Sequence, residues 1–157
     1  MSVEPLHLAL QPIDIPLEKI LVDPNNPRFV GHDWQTVPDD ELDQEHHQEQ
    51  ARSKLLREFG ADKLRANMEL NGYLPIDRII VRKLKDDLYV VLEGNRRIAA
   101  AKTIGKLSSS GEKIHEEVLN SLKLIPTLLY TGSDASAAWL FQGLRHIGLH
   151  PVPKTPS

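Results

Sequence analysis

Apolar residues fall along this chain in short blocks whose period shifts from alternating to helical and back. Ile13 to Val22 (IDIPLEKILV) mixes β-branched residues with a proline and runs into Asp23-Pro24-Asn25-Asn26-Pro27-Arg28, a cluster of turn formers. That predicts a short edge strand followed by a loop. Residues 31–38 read as irregular. From Asp39 to Phe59 strand formers are scarce, and Leu55, Leu56 and Phe59 lie within helical reach of one another, so a helix is predicted that Gly60 stops. Ala61 to Leu70 predicts a second helix, with Leu64 and Met68 four apart and Asn71-Gly72 suited to a left-handed cap.

Ile79-Ile80-Val81-Arg82 and Leu88-Tyr89-Val90-Val91-Leu92 are two β runs separated by Lys83 to Asp87, a spacing that predicts a hairpin. The second run is almost wholly apolar, as an interior strand covered on both faces should be. After Glu93-Gly94-Asn95, the alanine-rich run from Arg96 to Ile104 predicts a helix. A flexible Ser108-Ser109-Ser110-Gly111 connection, a short amphipathic helix over Glu112 to Leu122 and a strand over Leu124 to Tyr130 follow, with Pro126 pointing to an edge or a bulge. Ser133-Asp134 is suited to cap a last helix reaching about His146, and the proline-rich residues from Pro151 cannot continue it. There is no repeat or coiled-coil pattern, so the chain reads as one α+β (mixed α/β) domain: a small mixed sheet with helices packed around it.

Composition narrows the chemistry. At 157 residues the chain is long enough to bury a core without staples, since such a domain buries roughly 68–70% of its unfolded surface. It has no cysteine, which excludes disulfides, thiolate nucleophiles, Cys-rich zinc sites and Fe–S clusters. Met1 to Pro16 carries Glu4 and Asp14 without a basic n-region, so it does not read as a signal peptide. No window approaches ~18 uninterrupted apolar residues, and a cytoplasmic protein is expected. A balance of 19 Lys+Arg against 22 Asp+Glu argues against coating nucleic acid by bulk charge. The signs are segregated, however. Acids gather from Asp39 to Glu49, while Arg78, Arg82, Lys83, Lys85, Arg96, Arg97, Lys102, Lys106 and Arg145 lie in the second half, which suits an anionic ligand held there.

The sharpest local feature is Val90-Val91-Leu92-Glu93-Gly94-Asn95-Arg96-Arg97, an apolar strand turning through glycine into a helix whose first turn carries two arginines. A helix N-terminus already bears about half a positive charge, so two cations there are unfavourable by a few tenths of a kcal/mol or more each. A bound anion reverses that sign, because the N–H groups, the dipole and both guanidiniums then point at one phosphate. At ~100° per residue Arg97 projects onto the apolar arc of Ile98, Ala100, Ala101 and Ile104, at the mouth of the core. Arg96 falls just outside it. Gly94 would admit close approach of a ligand, and Asn95 could cap the helix. The alternative is a plain strand–turn–helix junction with solvated arginines.

The run Leu92-Glu93-Gly94-Asn95-Arg96-Arg97-Ile98-Ala99-Ala100 resembles the Gly-x-Arg-Arg box of the ParB/sulfiredoxin-like domain. Ile15 to Arg28 is similar to the opening strand and Asn-Pro-x-x-Pro-Arg-type loop of ParB N-terminal domains, Leu64 to Arg82 to their helix, turn and Pro-Ile strand, and Phe141 to Pro151 to their final helix. The resemblance implies an N-terminal extension over residues 1–12, a ParB-like domain over 13–150 with an acidic helical insertion at about 29–60, and a tail over 151–157. It also implies a nucleoside triphosphate site, CTP with magnesium in the family. The phosphates would meet Gly94, Asn95, Arg96, Arg97 and Arg145 or His146, and the base would lie near Gly72, Tyr73, Leu74, Pro75 and Ile76. Asn95 stands where the family has Glu, and Gln142 and Gly143 stand where its last helix supplies Glu and Asn for hydrolysis and metal binding. An amide and a glycine do not replace a carboxylate base or an oxygen ligand. Sulfiredoxin chemistry is excluded by the missing cysteine.

Three functions follow as expectations. The first is a nucleotide-controlled switch, part of a DNA-associated protein whose DNA contact comes from other domains or partners. The second is a ParB-like nuclease or phosphotransferase, or an NTPase, using Glu93 as acid/base or metal ligand. The third is a protein-interaction domain whose acidic insertion docks a partner beside a vestigial pocket. No metal site is expected, because His46-His47 are adjacent and so point to different sides of a helix, and the acidic run lacks EF-hand spacing. Trp139 lies opposite Leu140, Leu144 and Phe141, where it packs on the insertion or stacks on a ligand.

Overall fold

Val81, Val90 and Val91 are fully buried, and around them the chain builds a five-stranded mixed sheet. The structure is a computed structural model that describes residues 5–29, 35–133, 137, 140 and 141. Its elements are β1 (Leu10–Pro16), β2 (Ile20–Leu21), α1 (Glu45–Glu58), α2 (Ala61–Asn71), β3 (Ile79–Lys85), β4 (Leu88–Glu93), α3 (Asn95–Ser109), α4 (Glu116–Ser121) and β5 (Leu124–Tyr130). The strand order is β1-β5-β3-β4-β2. β1/β5 and β3/β4 are antiparallel, whereas β3/β5 and β2/β4 are parallel. The fold is thus mixed α/β, as the patterning predicts.

The expected single strand over 13–22 is in fact two strands on opposite edges of the sheet. Pro16 cannot continue a donor ladder and instead opens a 3-10 turn at Leu17–Lys19, after which β2 starts afresh. The outer strands of a flat five-stranded sheet lie about 19 Å apart, whereas the link from Pro16 to Ile20 reaches about 14 Å at full stretch. The sheet therefore curls until its two edges approach.

β3 and β4 form the expected hairpin, with Asp86 at positive φ in its tight turn. β4 is interior: Val91 joins the helical side of the core, while Val90 and Leu92 belong to clusters on the other face. β5 is interior as well, contrary to the edge that Pro126 suggests. Its ladder with β3 begins only at Thr127, so Pro126 sits where no donor is required on that side. Ala99, Ala100 and Ala101 are fully buried in the cluster shared with Ala51 and Leu55 of α1 and Met68 of α2, and such small side chains let α3 sink deep into the core.

Gly60 ends the first helical stretch in a left-handed conformation (φ 80°, ψ 8°), and Gly72 also takes positive φ after α2. The predicted helix from Asp39 is shorter than expected. A 3-10 turn covers Asp39–Glu41, and α1 starts at Glu45. Gln48 then reaches the open edge at Val22, accepting from its N–H (3.0 Å) and donating to its carbonyl (2.9 Å), as another strand would. His46 and His47, expected on different sides of the helix, have ring centroids 3.9 Å apart with their planes tilted by 39°. The helix expected over 112–122 is confined to α4, capped by the His115 ring, whose Nδ1 accepts from Glu117 N–H (3.1 Å). Of the last expected helix, Ala137, Leu140 and Phe141 are described as helical; Trp139, Gln142 and Gly143 lie outside the described residues. Phe141 meets Tyr130 edge-on.

Candidate functional site

β4 runs out at Glu93 and the chain turns at Gly94 (φ 111°, ψ 19°) directly into α3. Only glycine serves here. The backbone is left-handed, and an added Cβ would come within 2.8 Å of Ile79 Cβ on the neighbouring strand. The tight junction puts Arg96 and Arg97 in the first helical turn. There the early backbone N–H groups have no intrahelical acceptor.

A cleft of about 240 Å³ opens in front of this turn, walled by Arg28, Asp77, Glu93, Gly94, Arg96 and Arg97 among others. Arg96 Nη1 donates to the Phe59 carbonyl (3.4 Å). Arg97 Nη1 donates to the Asp77 carbonyl, and its guanidinium lies 5.6 Å from the Tyr73 ring. Each fork is anchored through one backbone carbonyl, and a guanidinium has five N–H donors in all.

Arg28 completes the positive wall, and its loop explains how it gets there. Asn25 clamps Val37 through both ends of its amide (2.7 Å each), Asn26 Nδ2 donates to the Asp23 carbonyl (2.9 Å), and Arg28 N–H donates to Asn26 Oδ1 (2.9 Å). Burial, and then the nearby positive charge of Arg96, pull the Arg28 pKa below its usual value, with Glu93 opposing. Cations crowd here at an electrostatic cost that an anion would offset.

Asn95 does not cap the helix. Its Oδ1 accepts from Asp23 N–H (2.7 Å) and its Nδ2 faces the Val91 carbonyl (3.5 Å), so the side chain ties the arginine-bearing loop to the start of α3. Asp23 itself is 7% exposed. Burial pushes its carboxyl up to about 6 against the pull of the Asn25 N–H and Arg82.

The acidic run folds back onto the chain's own cations. Asp39 takes Arg82 in a two-pronged contact (2.9 and 3.2 Å), Asp43 pairs with Lys85 (3.0 Å), and Glu49 holds Arg52 (2.7 Å) and Lys106 (3.1 Å). The segregation of charge along the sequence is thus largely cancelled in space over β3 and the end of α3. The arginines at the start of α3 are not among those pairs.

Gly94, Asn95, Arg96, Arg97 and Glu93, singled out by sequence, all line the one cleft. Of the expected base-side residues, Tyr73 is buried beside Arg97, Leu74 and Ile76 are exposed, and none of Gly72 to Ile76 lines the cleft itself. Arg145 and His146 lie outside the described residues. Sequence reasoning left Arg28 and Asp77 out of the site. The Pro27-Arg28 step after a run of turn formers was the available signal for Arg28; Asp77 carried none. No group of three or more His, Asp or Glu residues suited to a metal ion occurs among the described residues.

Neither known protein families nor curated proteins provide a match to this chain. Among solved structures, the fold is similar to that of the C-terminally truncated chromosome-partitioning protein ParB from Caulobacter crescentus, complexed with CTP-gamma-S. The TM-score is 0.51 at 17% identity, over 90% of this chain and 55% of that one. The likeness is one of architecture: this is a ParB-like fold. The chain spans about half the length of that protein. No helix among the described residues is long and apolar enough to cross a membrane.

Proposed function

We propose that the domain binds a nucleoside triphosphate through its phosphates, in the cleft before α3. The observation that carries this reading is the convergence of Arg28, Arg96 and Arg97 on one cleft at a helix N-terminus. The CTP-gamma-S carried by the structural neighbour makes CTP the first nucleotide to test. Arg28 belongs to the 23–28 loop and the other two arginines to α3, so a bound triphosphate would bridge two separate elements. Such a bridge is the physical basis of a ligand-controlled switch, including in a DNA-associated assembly.

The test is thermal denaturation with CTP, ATP, GTP, UTP and tripolyphosphate, each with and without magnesium. Ligand at a hundred times its Kd adds about 2.7 kcal/mol of stability. Stabilisation that disappears in Arg97→Ala is the expected outcome. No shift with any of these ligands at millimolar concentration rejects the reading.

Glu93 lines the same cleft and favours a second reading, in which the domain also turns its ligand over by hydrolysis or phosphoryl transfer. Loss of product in Glu93→Gln with binding preserved supports it. Binding by the unmodified chain with no product at any pH rejects it.

A further inference from the structure

Further along α3 from the arginine cleft, a second cavity of about 220 Å³ lies between α1, α3 and the end of β2. Lys102 and Lys106 enter it from α3, and Asp43, Glu45, Glu49 and Arg52 from the α1 side. The charges in its wall are already assigned, with one exception among the cations. Asp43 is taken by Lys85, and Glu49 by both Arg52 and Lys106. Arg52 is fixed further by a hydrogen bond to Thr103 Oγ1 (2.7 Å). Glu45 is exposed and forms no ion pair among the described residues. Among the described residues no carboxylate forms an ion pair with Lys102, which lines the cavity half-buried.

We propose that Lys102 is a nucleophilic amine that accepts acyl groups from small acyl phosphates entering this cavity. The neutral Nζ lone pair forms a C–N bond to the acyl carbon, and the bond from that carbon to the phosphate oxygen breaks. Phosphate leaves with the bonding electrons and takes up the proton lost by the amine, giving an amide and hydrogen phosphate. Nothing is oxidised or reduced. Arg52 and Lys106 stand in the same wall, and the space is large enough for a short acyl chain.

The electrostatics support the same assignment. Burial, followed by the charge of Lys106, brings the Lys102 amine down to about 8, with Glu18 opposing. Compared with an ordinary lysine near 10.4, such an amine has about 200-fold more of its neutral form at pH 7.5 but only about 9-fold more at pH 9.5. Lower basicity reduces the intrinsic reactivity of each neutral amine, but it does so equally at both pH values. The pH dependence of selectivity therefore isolates the effect.

The experiment treats the full chain with limiting acetyl phosphate at pH 7.5 and 9.5 and follows initial acetylation rates site by site by mass spectrometry. Lys102 should be the fastest site at pH 7.5, and its rate relative to the exposed Lys63 and Lys83 should fall about 20-fold by pH 9.5. Lys106→Gln should reduce the advantage at pH 7.5, and unfolding in urea should abolish it. A relative rate that does not change with pH, or a Lys102 that stays unmodified while exposed lysines react, overturns the proposal.

Discussion

Replacing Asp23 with asparagine should make this protein more stable at neutral pH, although the residue is buried and hydrogen-bonded. The carboxyl is raised from 3.8 to about 6, chiefly by burial. A raised carboxyl pKa means the folded state binds the proton more tightly than the unfolded state does. The ionised group then costs stability fully above the folded value, and the cost fades as pH falls from about 6 towards 3.8. At 1.36 kcal/mol per pKa unit, the penalty at pH 7.5 is about 3 kcal/mol. Asparagine keeps an oxygen that can accept from Asn25 N–H, now 2.8 Å from Asp23 Oδ1, but brings two amide N–H donors into a buried site, and an unpaired buried donor costs about 1–3 kcal/mol. The expected net gain is up to about 2 kcal/mol at pH 7.5, falling towards zero or below at pH 4. Urea denaturation of both proteins at several pH values measures it, and each midpoint converts to free energy through the slope. A variant less stable than the parent at pH 7.5, or a difference flat from pH 7.5 to 4, would refute the assignment of a strained, ionised Asp23.

Other substitutions separate the roles of neighbouring residues. Arg28→Ala and Arg97→Ala should each weaken triphosphate binding about 10–150-fold in calorimetric titration, the equivalent of ~1.5–3 kcal/mol for a charge-assisted contact, with little change in unliganded stability. Gly94→Ala should destabilise by roughly 2–4 kcal/mol in chemical denaturation, because a left-handed backbone and a clash with Ile79 act together. Asn95→Ala leaves the buried Asp23 N–H without its partner and should cost about 1–3 kcal/mol, with faster amide exchange across residues 23–28. Asp39→Ala breaks an exposed pair with Arg82 and should change stability by less than about 1 kcal/mol.

The strand–turn–helix around Gly94 was legible because every signal for it is local. An apolar run, a glycine and an alanine-rich stretch each constrain the backbone within a few residues, and two arginines at a helix start violate a local rule. Interior β4 could be read for the same reason. The division of residues 13–22 was not legible, since Ile13 and Ile20 look alike in a window and only partners about 70 to 110 residues away decide that they belong to opposite edges. Arg28 was missed on similar grounds. Its reach depends on the ladder made by Asp23, Asn25 and Asn26, which turn propensity announces as a loop but not as a rigid support. The acidic run carries no sign of what it packs on, and its position beside Arg82 and Lys85 follows from how the insertion meets β3, a tertiary fact with no periodic signature.

The pairing of Leu10 with Tyr130 has a kinetic meaning. β1 leaves the ribosome before the other strands of this sheet, but its only described neighbour, β5, follows some 120 residues later, so β1 waits unpaired while the rest of the sheet is made. Contacts this distant in sequence slow folding, because the loop must close before they form. Pro12 and Pro16 lie within that waiting segment. By withholding two donors they make it a poor template for other nascent chains until its proper place exists.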